Sequence, residues 1–212
     1  AVDVLRSIPQ YRAEFKQVLE DNGTVSDFES EIYKKDGSQM WISENGRAVR
    51  DARGTLLYYE GTTIDITERK QAEQGLMESA AQFRTLFEAS PDAILLIDPH
   101  GDWPILDCNP SACQMNGYAR NELVGQPIDI LNPTPGNPVE RAEYMQQIRE
   151  LGILRYETIH HRKDGNVIAT EVSTTLIQFG QREIVLGIDR DITERKQAEE
   201  ALKRSHSLLY AT

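Results

Sequence analysis

Little in this sequence invites a catalytic, metal-bound or membrane-spanning reading. Cysteine is scarce: Cys108 and Cys113 are the only two. They make neither a zinc-type spacing nor a disulfide framework, which fits a reduced, cytoplasmic setting. Long hydrophobic runs are missing. The longest, residues 93–97, falls far below the roughly 20 residues that span a bilayer, and no signal-peptide pattern opens the sequence. Positive charge is in deficit, with 23 Lys and Arg against 34 Asp and Glu and a net charge of -11. Nucleic acid and an anionic membrane surface are therefore not expected partners. No Ser-His-Asp set, phosphate-binding glycine loop or spaced carboxylate pair stands out. No catalytic or metal-binding residue is assigned, and the chain is not expected to be an enzyme by itself. What remains, 39% apolar and 27% charged residues, is ordinary for a globular protein.

What the sequence does contain is a repeat. Asp65-Ile66-Thr67-Glu68-Arg69-Lys70-Gln71-Ala72-Glu73 returns without a substitution from Asp191 to Glu199, so the chain reads first as two related units. Each copy closes an apolar, strand-like run (residues 56–66 and 183–192) and opens a polar stretch of helical spacing. Asp65 and Asp191 each precede a Glu at capping-box spacing. Thr67 and Thr193 are the competing N-cap residues for a later helix start. Asp65, Ile66 and Thr67, with Asp191, Ile192 and Thr193, thus form a strand-to-helix joint and are the candidate signal junction. The repeat reaches upstream: Arg12-Ala13-Glu14-Phe15 matches Arg141-Ala142-Glu143-Tyr144, and Lys35-Asp36-Gly37 matches Lys163-Asp164-Gly165. The second copy has a long additional segment from about residue 83, whereas little precedes Arg12. The first unit is therefore expected to be incomplete, and the chain to be a piece of something larger.

Residues 11–19 read as a helix with Phe15, Val18 and Leu19 on one face, stopped by Asn22-Gly23. Residues 25–35, 39–50 and 56–66 read as three strands joined by Lys-Asp-Gly-Ser and Asp-Ala-Arg-Gly turns. Residues 68–89 form a long helix in which Ala72, Leu76, Phe83 and Leu86 approach heptad spacing. It serves either as a solvated linker or as one strand of a two-chain coiled coil. Ser90-Pro91 ends it. Two strands follow, 93–98 and 105–108. Asn109 then caps a short helix that begins at Pro110 and stops at Asn116-Gly117. A short turn over 121–123, a proline-rich loop over 132–138 and a helix over 139–151 lead to strands 153–163, 167–179 and 183–192. Residues 194–209 repeat the outgoing helix.

That order of elements, with Asn109-Pro110-Ser111-Ala112, Gly117-Tyr118, Glu122-Leu123-Val124-Gly125 and the Lys-Asp-Gly turns, resembles a PAS sensory domain, and Asp-Ile-Thr-Glu-Arg-Lys resembles that family's junction to its signalling helix. The resemblance covers the second unit wholly and the first over the C-terminal half called the PAC segment. It implies an α+β fold: a five-stranded antiparallel sheet of order 2-1-5-4-3 with short helices on one face, plus long connector helices. The organisation it implies is residues 1–66 as half a PAS domain, 67–82 as a connector, 83–192 as a complete domain and 193–212 as an outgoing signalling helix. It also implies that Ile94, Leu96, Ile168, Val172, Leu186 and Ile188 line a pocket or its core, with core packing and no ligand as the plainer alternative. Haem-binding members present a His from the long helix, and residues 139–151 contain none. Photochemical flavin members carry a Cys after the Gly-Tyr turn, and none follows Tyr118. Haem and covalent flavin chemistry are disfavoured, while a non-covalent small ligand stays open.

His160 and His161 raise a metal or pH-sensing role, but adjacent strand residues face opposite ways, so they do not converge on one ion. Either could titrate near neutral pH. Cys113, early in its helix, is a candidate for weak activation and more simply a small buried residue. The reading that follows is a regulatory fragment of a sensor histidine kinase, in which a ligand or partner biases the sheet and the Asp-Ile-Thr joint passes that bias on. The alternatives are a ligand-free dimerisation and spacer module, or the sensor region of a diguanylate cyclase. Unpaired strand edges and apolar residues of the first unit (Val25, Phe28, Ile32, Trp41, Ile42, Leu57, Tyr59 and Ile64) predict a homodimer through that unit and the connector helices.

Overall fold

In the computed structural model of the protein, residues 6–7 and 9–209 are described. They fall into two compact units whose boundary lies between Ala81 and Gln82. Among the described residues no helix is long and apolar enough to cross a membrane.

The first unit runs β1 (Arg6–Ser7), α1 (Pro9–Asn22), β2 (Thr24–Tyr33), β3 (Gln39–Arg50) and β4 (Leu56–Asp65), in an antiparallel sheet of order β1-β2-β3-β4. The sequence suggested three strands. The fourth, β1, is two residues long and pairs with the end of β2 through Arg6↔Tyr33, too short to carry a periodic signal. Phe15 and Leu19 of α1 bury themselves with Val25 of β2, and the Phe15 ring meets Phe28 edge-on at 5.4 Å. Ile32 and Ile42 are buried as well. Part of the apolar surface expected to seek a partner is thus already satisfied within one chain. β4 is different: it lies at the sheet edge and all its residues are exposed, Leu57, Tyr58 and Ile64 among them.

The helix α2 (Thr67–Ala89) has 23 residues, about 35 Å at 1.5 Å per residue, and none of them is buried.

The second unit contains β5 (Ala93–Ile97), β6 (Ile105–Cys108), α3 (Pro110–Asn116), α4 (Arg120–Leu123), a 3-10 turn at Ile128–Ile130, α5 (Pro138–Leu151), β7 (Ile153–His161), β8 (Val167–Phe179), β9 (Arg182–Asp191) and α6 (Thr193–Leu209). Its sheet has the order β6-β5-β9-β8-β7, which is 2-1-5-4-3 when counted within the unit. Leu95, Ile97, Ile105 and Val185 of the sheet pack on Ala112, Leu123 and Leu131 from the helical segments, and Tyr144 and Met145 of α5 lean on the same cluster.

Asn109 ties the start of this unit together. Its Oδ1 accepts from the backbone N–H of Ile94 and Ala112 at 2.9 Å each, and its Nδ2 donates to the carbonyls of Phe87 (3.1 Å) and Asp92 (3.0 Å). One fully buried amide therefore fixes the end of α2, the start of β5 and the N-terminus of α3. α5 begins with a complete capping box: Asn137 Oδ1 accepts from Val139 and Glu140 N–H, and Glu140 accepts from Asn137 N–H. α4 starts at Arg120, one residue before the expected Asn121, because Glu122 reaches back to the Ala119 N–H at 2.9 Å.

Candidate functional site

Two features stand out: the repeated strand-to-helix joint and a cavity inside the second unit.

The joint is built alike in both units. Ile66 N–H donates to the Trp41 carbonyl on β3 at 2.9 Å, and Ile192 N–H to the Ala169 carbonyl on β8 at 2.8 Å. The threonine hydroxyls accept in return from the backbone N–H of those same strand residues, Thr67 from Trp41 at 3.0 Å and Thr193 from Ala169 at 3.2 Å. Asp65 accepts from Thr67 N–H at 2.9 Å and Asp191 from Thr193 N–H at 2.8 Å. Neither N-cap expectation holds in the form stated: the aspartate closes on the residue two positions on, and the threonine faces the neighbouring strand instead of its own helix. Ile66 and Ile192 are buried between these bonds.

The basic pair that follows is anchored to a strand. Arg69 and Lys70 contact the two oxygens of Glu29 on β2 at 2.5 and 2.6 Å. In the second unit Arg195 meets Glu157 on β7 at 2.7 Å, and Lys196 takes its other oxygen. Arg195 also reaches Glu171 on β8 at 3.3 Å. The Lys70 ammonium holds the Glu29 carboxyl below its ordinary value with help from Arg69, and Lys196 does the same to Glu157. The first turn of each outgoing helix is therefore bolted to two strands of its own sheet. Sequence reasoning passed over both glutamates, although the signal was present. Aligning the two Lys-Asp-Gly turns places Phe28-Glu29 on Tyr156-Glu157, and Trp41 on Ala169.

The cavity, about 180 Å³, lies between the sheet and the segment from Trp103 to Tyr144. Strand register defines its floor: Ala93, Asp189, Val172 and Tyr156 lie in one row across β5, β9, β8 and β7, and Leu95, Gly187 and Thr174 share the next. Of the residues expected to line the pocket or its core, Val172 lines the cavity, and Leu96 is buried in the core away from it. Ile168 shares its face and is buried without reaching the lining. Ile94, Leu96, Leu186 and Ile188 pair among themselves (Ile94↔Ile188, Leu96↔Leu186) on the opposite face. The error is a single residue of offset, which turns a whole strand over. β5 is apolar at every position and gives no alternation to read. In β9 the inward residues include Gly187 and Asp189, which do not look like pocket apolars.

Asp189 and His160 are the buried ionisable groups on the floor. Burial alone raises the Asp189 carboxyl to about 7 and lowers the His160 imidazole to about 4, so His160 stays neutral where a neutral-range titration had been allowed. His161 is exposed. Trp103 adopts φ 58, a left-handed conformation that a bulky side chain rarely takes. It is held there by Trp103 N–H to His100 O at 3.3 Å and Ile128 N–H to Trp103 O at 3.0 Å. The Arg141 guanidinium lies 5.7 Å over the Trp103 ring and pairs with Asp129 at 2.5 Å. Tyr144 bonds Thr174 at 2.7 Å and approaches Tyr156 at 3.3 Å.

Cys108 and Cys113 are free, with sulfurs 3.7 Å apart. Burial, with Cys113 alongside, pushes the Cys108 thiol up to about 12. Among the described residues no cluster of three or more metal-ligating side chains occurs.

A sheet of order 2-1-5-4-3 wrapped over short helices around a small cavity, its last strand locked to an outgoing helix, defines a PAS-type sensory fold. Residues 91–194 match the profile described as PAS domain and residues 6–63 that described as PAS fold. The chain belongs to the PAS domain family and carries two of its units in tandem. It is 30% identical over 176 residues to the sensor protein FixL of Bradyrhizobium diazoefficiens, covering 80% of this chain and 34% of that protein. It is 30% identical over 142 residues to the sensor histidine kinase TmoS of Ectopseudomonas mendocina, covering 64% of this chain and 14% of that one. The chain thus spans about a third or less of these two relatives. The crystal structure of the PAS domain of an HTR-like protein from Haloarcula marismortui superposes with a TM-score of 0.51 at 26% identity, covering 58% of this chain and 99% of that domain.

Proposed function

We propose that this chain is the sensory region of a multidomain signal-transduction protein, a sensor histidine kinase, and that its second unit converts the state of its cavity into a change at α6. One observation carries the reading: the joint that follows each sheet is tied at Ile, Thr, Arg and Lys to residues of that sheet. A shift of β7 or β8 relative to β9 therefore loads the first turn of the helix directly. A ligand achieves this only if it binds one arrangement of the sheet better than the other. The chain supplies regulation, and catalysis belongs to domains outside it. Similarity to a sensor histidine kinase supports that parent. A cytoplasmic setting fits the reduced thiols.

A second reading, dimerisation, is supported by exposed apolar residues at heptad spacing on α2, where Leu76, Phe83 and Leu86 are 72%, 54% and 74% exposed. We infer that two copies of the chain pair along this helix and along β4, and that pairing and sensing operate together.

The test uses the full-length protein with Glu157→Gln combined with Thr193→Val. Stimulus-dependent autophosphorylation should lose its dependence on stimulus while the second unit keeps its fold. An unchanged response would sink the role given to the joint. Absence of autophosphorylation in the parental protein would sink the kinase assignment.

A further inference from the structure

The floor of the second unit's cavity presents a buried carboxyl and a buried imidazole close together, beneath an aromatic wall. Asp189 is 2% exposed and His160 is 4% exposed. Asp189 Oδ2 and His160 Nδ1 stand 3.8 Å apart, beyond hydrogen-bond reach, and His160 Nδ1 has no partner among the described residues. Burial alone keeps the proton on the Asp189 carboxyl; a cation beside it ionises it into an acceptor, and His160 Nδ1 accepts when its own proton sits on Nε2, so a cationic N–H donor completes both. One nitrogen set about 2.9 Å from each can serve both.

Above them, Trp103 and Tyr144 meet edge-on with centroids 5.8 Å apart, and Tyr144 and Tyr156 at 6.1 Å. Aromatic faces attract cations. The lining also carries Asp129 and Glu140. Arg141, its cationic side chain, is already committed to Asp129 and to the Trp103 face. An anion would confront the carboxylates of the lining, and an apolar guest would leave His160 Nδ1 unpaired.

We propose that this cavity is a receptor site for a small organic ammonium ion, whose N–H groups donate to Asp189 and His160 and whose carbon body lies against Tyr144, Tyr156 and Trp103. The volume of about 180 Å³ suits a compact amine. The assignment rests on the second unit being the sensory one.

The experiment is calorimetric titration of the full chain with isobutylammonium chloride, and with isovalerate and isobutanol as guests of the same carbon shape. The ammonium should bind at least about tenfold more tightly than either, as expected for charge-assisted donation to a buried acceptor. Asp189→Asn should weaken it by a similar factor with an intact thermal melt. His160→Gln, which keeps an acceptor, should weaken it less. No ammonium binding, equal or tighter binding of isovalerate or isobutanol, or an Asp189→Asn variant that binds normally would each overturn the proposal. Ammonium binding with no change in amide exchange at α6 would uphold the site and defeat the sensory reading. A failed ammonium titration, with α6 responding when Gly187→Val fills the cavity, would do the reverse.

Discussion

Folding this protein moves a proton, and that transfer can be exposed one partner at a time. Burial raises Asp189 from 3.8 to about 7. Its contribution to stability is therefore complete below its unfolded value and is lost as pH rises through 7. Burial lowers His160 from 6.5 to about 4, so its contribution is complete above 6.5 and is lost as pH falls through 4. Between those limits the unfolded chain holds one proton, on the imidazole, and the folded chain holds one, on the carboxyl. Equal proton counts mean no pH slope from this pair. Asp189→Asn should unmask the histidine, with stability falling by on the order of 3 kcal/mol as pH drops toward 4. His160→Gln should unmask the aspartate, with stability falling by on the order of 4 kcal/mol as pH rises toward 7.

The other ionisable groups around the cavity are Asp129, Glu140, Arg141, Tyr144 and Tyr156. They are common to all three proteins and drop out of the comparison. The assay is urea unfolding between about pH 4.5 and 7.5, followed through Trp103 in a Trp41→Phe background so that the second unit alone is read. Opposite slopes in the two variants are expected. Parallel profiles in all three proteins would refute the reasoning.

Further outcomes follow from single positions. Asn109→Ala removes four buried hydrogen bonds at once and should cost the second unit roughly 3–5 kcal/mol in denaturant unfolding; a loss under about 1 kcal/mol would contradict the tie assigned to it. Gly61→Ala would drive a Cβ to within 2.1 Å of the Asn45 carbonyl oxygen. It should unfold the first unit, read by Trp41 fluorescence, while Trp103 in the second stays native. Light scattering at micromolar concentration should give a dimer that Leu76→Glu with Leu86→Glu dissociates; a monomeric parent chain of 24.0 kDa would defeat pairing along α2.

Much of the fold could be read because the chain states it twice. The nonapeptide, the Lys-Asp-Gly turns and Asn109-Pro110 fix element order to within a residue or two, since caps and turns depend on local chemistry that sequence records. The faces of the inner strands could not be read in the same way. In β5 both faces are apolar, and in β9 the inward side mixes Val185 with Gly187 and Asp189, so period-two patterning could not correct the parity that the family resemblance implied. The threonine at the joint was misassigned because its partner, the Ala169 or Trp41 N–H, comes from a distant strand. Glu29 and Glu157 could have been found by extending the repeat alignment back through one more strand. The depression of His160 had no local signal, because it depends on burial across β7 and β9.

Communication between the cavity and α6 through the joint can be measured directly. Gly187 lines the cavity, and a Cβ there meets Leu95 at an ordinary 3.8 Å, so Gly187→Val, with its thermal melt matched to the parent's, is the surrogate for an occupied site. Amide exchange should change across the first turn of α6, Glu194 to Gln197, in this variant. The change should disappear when Glu157→Gln is added. Exchange altered around the cavity but identical to the parent at α6 would contradict the account.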